Sequence, residues 1–235
     1  MDRQLERRIL QVLEAKAVDI RNVDGGEEPF LYSSGWHGPG YVMMKGLVAR
    51  EDILVPLVND LAVQVAKRAP QVQFVAGNVS GGVIPGWILR DNLTTLLSQR
   101  IQYVYVRETR KKGGQKELVT GLAHIPPHSN GLIVEELVNF AETTSNSAEV
   151  VRSAGHTVTH AACILFYNNP ESLKALHVRG IEMIYLFTLP ELLDVAEQCG
   201  VFTHKAILGY REFLDNPIGW NEQRGYARVE SGGTK

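Results

Sequence analysis

From residue 72 to residue 199 short apolar runs alternate with amphipathic stretches, and this alternation restricts the possible folds more than any other feature of the chain. The runs 72–76, 102–106, 131–135, 158–166 and 181–187 have strand length, and the stretches 85–98, 144–154, 170–178 and 189–199 have helical length and spacing. A strand that passes through a helix into the next strand forms a crossover, which sets the two strands parallel. The expected fold is therefore α/β, a mainly parallel sheet flanked by helices on both faces. Segment 108–126 interrupts the rhythm. It is polar, basic and glycine-containing, and suits a mobile loop or an inserted hairpin.

The flanks divide the chain further. Leu5, Ile9, Val12 and Leu13 fall on one helical face, and so do Leu57, Val58, Leu61 and Val65 within a helix expected over 53–68. Between them, residues 19–50 read as loops and short strands punctuated by glycine. The organisation expected is an N-terminal helix and small hood over 1–50, an α/β core over 51–200 and a C-terminal extension over 201–235. Phe202, Leu208, Tyr210, Phe213, Leu214 and Trp220 make that extension too apolar for a free tail. It should pack on the core or on a partner, leaving only the terminal SGGTK disordered.

Twenty-four basic against 26 acidic residues leave a net charge of −2, which argues against a constitutive nucleic-acid binder. Two cysteines, Cys163 and Cys199, exclude a disulfide scaffold and suit a reducing compartment. No run approaches the roughly 20 apolar residues of a membrane helix. The charged N-terminus lacks a signal peptide's apolar core, so a soluble cytoplasmic protein is expected.

In open parallel sheets ligands bind beyond the carboxyl ends of the strands. Gly77-Asn78-Val79-Ser80-Gly81-Gly82 follows one strand and precedes a helix, so it is either an anion cradle of backbone amides or simply a tight turn. Glu135 and Glu136 at a strand end can hold sugar hydroxyls or a hydrated Mg2+, or can be a solvated pair. Thr143-Thr144-Ser145-Asn146-Ser147 then can cap a helix and also meet a phosphate, or is an ordinary helix cap. The cations of Arg107–Lys116 flank Gly113-Gly114. They suit a loop closing over a polyanion, or else a solvated surface, and no interleaved aromatic supports RNA binding there. His124 with His128, and His156 with His160, have no matching third metal ligand nearby, and Cys163 lies in an apolar run that suits the core.

In this order and spacing the pieces resemble the type I phosphoribosyltransferases, and among them the orotate phosphoribosyltransferases, from about Phe30 to Leu193. FLYSSGWHGPGYVMMKGL is similar to the family's N-terminal pattern, GNVSGGVIPGW to its pyrophosphate loop and YVRETRKKGGQKELVTG to its flexible catalytic loop. GLIVEELVNFAETTSNSAEVVRSAG is similar to its diphosphate-sugar motif, and GIEMIYLFTLPELL to its last strand and helix. The resemblance implies transfer of ribose 5-phosphate from phosphoribosyl diphosphate to a nitrogenous base of pyrimidine type, with Mg2+ carried by the diphosphate. It implies that Arg107 and Lys111 neutralise the diphosphate and that Glu135 and Glu136 hold the ribose hydroxyls. The segment 141–145, with Thr143, Thr144 and Ser145, would receive the 5-phosphate. Ser33, Ser34, Gly35, Ser80, Gly81 and Gly82 would line the base and diphosphate side. A homodimer is implied, its 107–117 loop reaching the neighbouring site.

The chain also departs from the family pattern. Glu-Glu replaces the usual acid pair, Glu108 and Gly113 stand at a usual lysine and histidine, and Ser33 stands at a lysine of many relatives. Asn168 falls near an arginine position that serves the orotate carboxylate. The phosphate loop, usually Thr-Thr-Gly-Gly-Ser, reads Asn139-Phe140-Ala141-Glu142-Thr143. At about 4 Å and an effective dielectric near 20, a carboxylate facing a phosphate costs on the order of 4 kcal/mol, roughly a thousandfold in affinity, unless Glu142 turns outward. These losses keep open an alternative, a non-catalytic binding or regulatory protein of the same fold.

Overall fold

The computed structural model describes residues 2–107 and 118–229. In chain order the elements are α1 (Arg3–Glu14), β1 (Val18–Ile20), β2 (Phe30–Leu31), β3 (His37–Gly38), β4 (Gly40–Val42), α2 (Glu51–Arg68), β5 (Phe74–Asn78), α3 (Val83–Leu96) and β6 (Gln102–Val106). They continue as β7 (Val119–Thr120), β8 (Asn130–Val138), α4 (Glu142–Ser153), β9 (Thr157–Phe166), α5 (Pro170–Val178), β10 (Glu182–Thr188), α6 (Leu189–Gln198), α7 (His204–Asp215) and α8 (Pro217–Gln223).

Six strands form the central sheet in the order β10-β9-β8-β5-β6-β7, all neighbours parallel except β7, which runs antiparallel to β6. The expected α/β fold, a mainly parallel sheet between helices, is observed. Alternate residues separate the two faces. Val75, Leu132, Val134, Ala162 and Ile164 join a core with α1, α2, α3, α6 and α7. Phe74, Ala76, Ile133, Ala161 and Cys163 join another with α4 and α5. Burial on both faces makes such strands read as continuous apolar runs.

Two strands differ from expectation by two or more residues at a boundary. The strand expected over 72–76 is β5, 74–78, because Gly77 and Asn78 pair with Tyr105 and Val106 of β6. Turn-forming residues are thus drawn into a central strand, and the following loop shrinks to Val79–Gly82. The strand expected over 131–135 is β8 and runs on to Val138 beside β9, with Val138 opposite Phe166. Glu135 and Glu136 therefore lie inside β8, just past the point where its other neighbour, β5, leaves it at Gly77–Val134. From β5 the chain proceeds to β6 on one side, and from β8 to β9 and β10 on the other. The β5–β8 boundary is accordingly the switch point at which crossovers diverge and leave a crevice.

Smaller antiparallel pairs, β1 with β4 and β2 with β3, build the N-terminal region over this crevice. The C-terminal helices pack against it and against the sheet. Phe213 meets Tyr32 at 5.9 Å between ring centroids, Tyr210 at 6.0 Å and Trp220 at 5.7 Å. Of the apolar residues expected to pack there, Leu208 is exposed, since it lies across α7 from the buried Ala206, Ile207, Tyr210, Phe213 and Leu214. The terminal SGGTK lies outside the described residues. Among the described residues no helix is long and apolar enough to cross a membrane.

Candidate active site

A cavity of about 590 Å3 opens at the switch point. Its lining brings together Ser33 and Ser34 before β3, Arg107 after β6, Glu135 and Glu136 of β8, and Thr143 and Thr144 of α4. These were singled out in the sequence from segments more than 100 residues apart. Lys111 and the 108–117 loop lie outside the described residues. Gly35, Ser80, Gly81, Gly82 and Ser145 do not line the cavity. Ser145 lies on a neighbouring depression with Glu171 and Lys174.

The two carboxylates occupy different environments because successive strand residues point to opposite faces. Asn78 Nδ2 donates to Glu135 Oε1 at 2.6 Å, a contact set by the β5–β8 register. Glu136 is packed under the β5–α3 loop, and a Cβ on Gly81 would overlap its carboxylate. Its Oε2 is buried without a hydrogen-bond partner among the described residues. Burial pushes the Glu136 carboxyl above the usual range, partly opposed by the charge of Lys45. An acceptor-only oxygen held this way in a cavity is suited to a sugar hydroxyl or to a hydrated cation brought with a ligand.

The glycine-rich loop has a packing reason for its glycines. A Cβ on Gly82 would strike the backbone of Val134 and of Asn78. Val79 N donates to Val106 O, Gly82 N to Asn78 O and Val83 N to Ser80 O. Among the described residues, only the Ser80 and Gly81 amides of this loop remain for an anion.

The hydroxyl run does not cap its helix. The helix α4 starts at Glu142, two residues earlier than expected, which puts Thr143, Thr144 and Ser145 inside its first turn. The N-cap is Ala141, in the left-handed region at φ 60°, with no side-chain cap bond. A helix start without a cap leaves amide donors and the positive dipole end facing the cavity. Phe140 leans toward Phe213 of α7, at 6.5 Å between centroids, which draws its ring toward the C-terminal helices. Glu142 is exposed rather than buried against the cradle, and Arg228 Nη2 reaches its Oε1 at 3.4 Å. The thousandfold penalty, which requires an unpaired carboxylate against the phosphate, does not apply to this arrangement.

Arg107 is half-buried, its Nη2 donating to the Tyr105 hydroxyl at 2.9 Å and its guanidinium 5.1 Å from that ring. Asn168 is exposed and lies away from the cavity lining. Lys45, in the 3-10 turn after β4, lines the cavity and was missed by sequence reasoning. Its signal was present in GYVMMKGL, as a lone cation just after a strand of the hood. Of the histidines, His156 falls just before β9 and meets Phe74 edge-on at 5.3 Å, and Cys163 is a buried core residue beside Met183.

No family model matches the chain. Orotate phosphoribosyltransferase of Sinorhizobium fredii is 26% identical over 215 residues, spanning 90% of this chain and 88% of its own. Among solved structures, orotate phosphoribosyltransferase from Aeropyrum pernix superposes with a TM-score of 0.61 at 22% identity, over 83% of this chain and 99% of that one. UMP synthase of Leishmania donovani superposes with a TM-score of 0.70 at 18% identity over 89% of this chain, which spans 42% of that protein's length. The fold, with its crevice at the β5–β8 switch point, is that of the type I phosphoribosyltransferases. Over nine tenths of its length the chain is similar in sequence to orotate phosphoribosyltransferase of Sinorhizobium fredii.

Proposed function

We propose that the protein transfers ribose 5-phosphate from phosphoribosyl diphosphate to a pyrimidine-type base. The observation that carries this reading is the convergence of Glu135, Glu136, Arg107 and the uncapped start of α4 on one cavity. In the reaction the bond from ribose C1 to the diphosphate oxygen breaks, a bond from a ring nitrogen to C1 forms, and the nitrogen loses its proton to solvent. Positive charge develops on the ribose and negative charge on the leaving group. The two carboxylates face the first, and Arg107, with Lys111 from the adjoining loop, offsets the second. Mg2+ enters as part of the diphosphate substrate and shares its charge. The α4 amides suit the 5-phosphate.

Ser33 and Asn168 stand where many relatives carry cations, which leaves an orotate carboxylate without those partners and weighs against orotate. Lys45 supplies a cation on the hood side, so orotate is the first base to test. The same reading has the protein working as a cytoplasmic homodimer, the 107–117 loop reaching the neighbouring site. A second reading, a non-catalytic ligand-binding or regulatory protein, is favoured by the joint loss of the family's lysine at Glu108, its histidine at Gly113 and the glycines of its phosphate loop. Calorimetric titration with phosphoribosyl diphosphate and Mg2+, followed by diphosphate release with orotate, uracil and purines, separates them. Micromolar binding with release on one pyrimidine is expected. Binding without release on any base leaves the second reading, and no heat at millimolar ligand removes the first.

A further inference from the structure

The segment after α8, residues 226–229, packs on the hood loop and reaches the first turn of α4 beside the crevice, and nothing in the transfer reaction requires it. Tyr226 stacks on Trp220 and on His37 of β3, at 6.0 and 4.9 Å between centroids. Val229 N donates to Gly35 O at 2.9 Å, and a Cβ on Gly35, whose φ is +84°, would overlap the Val229 carbonyl. Between these anchors Arg228 Nε donates to Ser34 O at 3.0 Å, its guanidinium lies 5.8 Å from the Trp36 ring, and its Nη2 reaches Glu142 Oε1 at 3.4 Å. One cation therefore links the hood loop, which lines the base side, to the first residue of α4, where the helix amides are uncapped.

We propose that Arg228 is a positioning residue for the phosphate end of the site, holding the Glu142 carboxylate aside and offsetting its charge where the helix start receives an anion. The proposal rests on the phosphoribosyltransferase reading. The chain carries an acid where a phosphate must dock, and it draws the compensating base from its far end. A carboxylate alone at the first turn would compete with the phosphate for the same amides and repel it, whereas a carboxylate paired with a guanidinium does neither. Both side chains are about half exposed, at 53% and 55%, so the pair is screened and its effect on binding is modest.

The test is calorimetric binding of phosphoribosyl diphosphate with Mg2+, and of inorganic phosphate alone, to wild type, Arg228→Gln, Arg228→Lys, Glu142→Gln and the Arg228→Gln/Glu142→Gln double variant. Arg228→Gln should weaken both ligands about fivefold. Glu142→Gln in that background should restore the loss, and Arg228→Lys should retain most of the wild-type affinity. In turnover the loss should enter KM for phosphoribosyl diphosphate and leave kcat in place. Because the pair is exposed, the melting temperature should not follow these changes, which a merely structural role would require. Wild-type binding with Arg228→Gln within twofold of it, or a double variant no better than Arg228→Gln, overturns this proposal alone. Wild-type failure to bind either ligand overturns the functional reading, and this one with it.

Discussion

Two loops leave the sheet side by side at the switch point, and they solve the same problem differently. The β5–α3 loop, Val79–Gly82, is glycine-rich, tied by backbone hydrogen bonds, and pressed so closely on β8 that a Cβ at Gly81 or Gly82 finds no room. The β8–α4 loop, Asn139–Ala141, has no glycine and turns through a left-handed alanine. Its Phe140 leans on α7 and its neighbour Glu142 on Arg228. The first loop is held by its own sheet, and the second by side chains from elsewhere, by Asn169 Nδ2 donating to Asn139 O and Oδ1 at 3.1 and 3.0 Å as well as by the C-terminal segment. A backbone cradle can thus lose its glycines when distant side chains take over its support.

Breaking that distant support should have the largest effect. Phe213 is fully buried among Tyr32, Phe140, Tyr210 and Trp220, so Phe213→Ala should cost about 3–5 kcal/mol in urea unfolding. It should also weaken inorganic phosphate binding at the β8–α4 loop, and a stability loss below about 1 kcal/mol would contradict the cluster. Gly82→Ala strikes the other loop. Its Cβ meets backbone rather than a movable side chain, and a loss of about 2–3 kcal/mol is expected in the same measurement.

The smallest effect, and one of opposite sign, belongs to the acid beneath that loop. Glu136→Gln should stabilise the fold by on the order of 1 kcal/mol at neutral pH while lowering transfer. Burial raises the Glu136 carboxyl above its unfolded value, so folding is more costly with it ionised than with it protonated. Its favourable contribution is present below the ordinary carboxylate range and is lost as the pH rises through the raised folded value. The advantage of Glu136→Gln should therefore be greatest at neutral pH and vanish in acid, as thermal melts across pH would record. An advantage independent of pH would show that the charge is not the cause.

Particular residues mark where sequence reading succeeded and where it stopped. The strand 102–106 and the helix 170–178 were legible to the residue, since each has a clear period and clear borders. Gly77 and Asn78 read as a turn, yet neighbours on both sides pair them into β5. The hydroxyls after Glu142 read as caps, but the helix begins before them. Within the site, Glu135, Glu136 and Arg107 were legible because strand ends in a crossover sheet converge. Arg228 was not, because nothing local distinguishes it from a surface cation, and Lys45 was passed over although it stands as a lone cation just after a strand of the hood.

The order of strands and helices, the apolar faces, and hence the sheet with its crevice were determined by the amino-acid sequence itself, because period and burial are properties of short segments. Which charges meet was decided only in three dimensions. Arg228 and Glu142 lie 86 residues apart in the chain and come together because α7 and α8 dock on the hood and bring residues 226–229 beside the start of α4. Electrostatic pairing depends on distance through space, and that distance exists only once the core has formed.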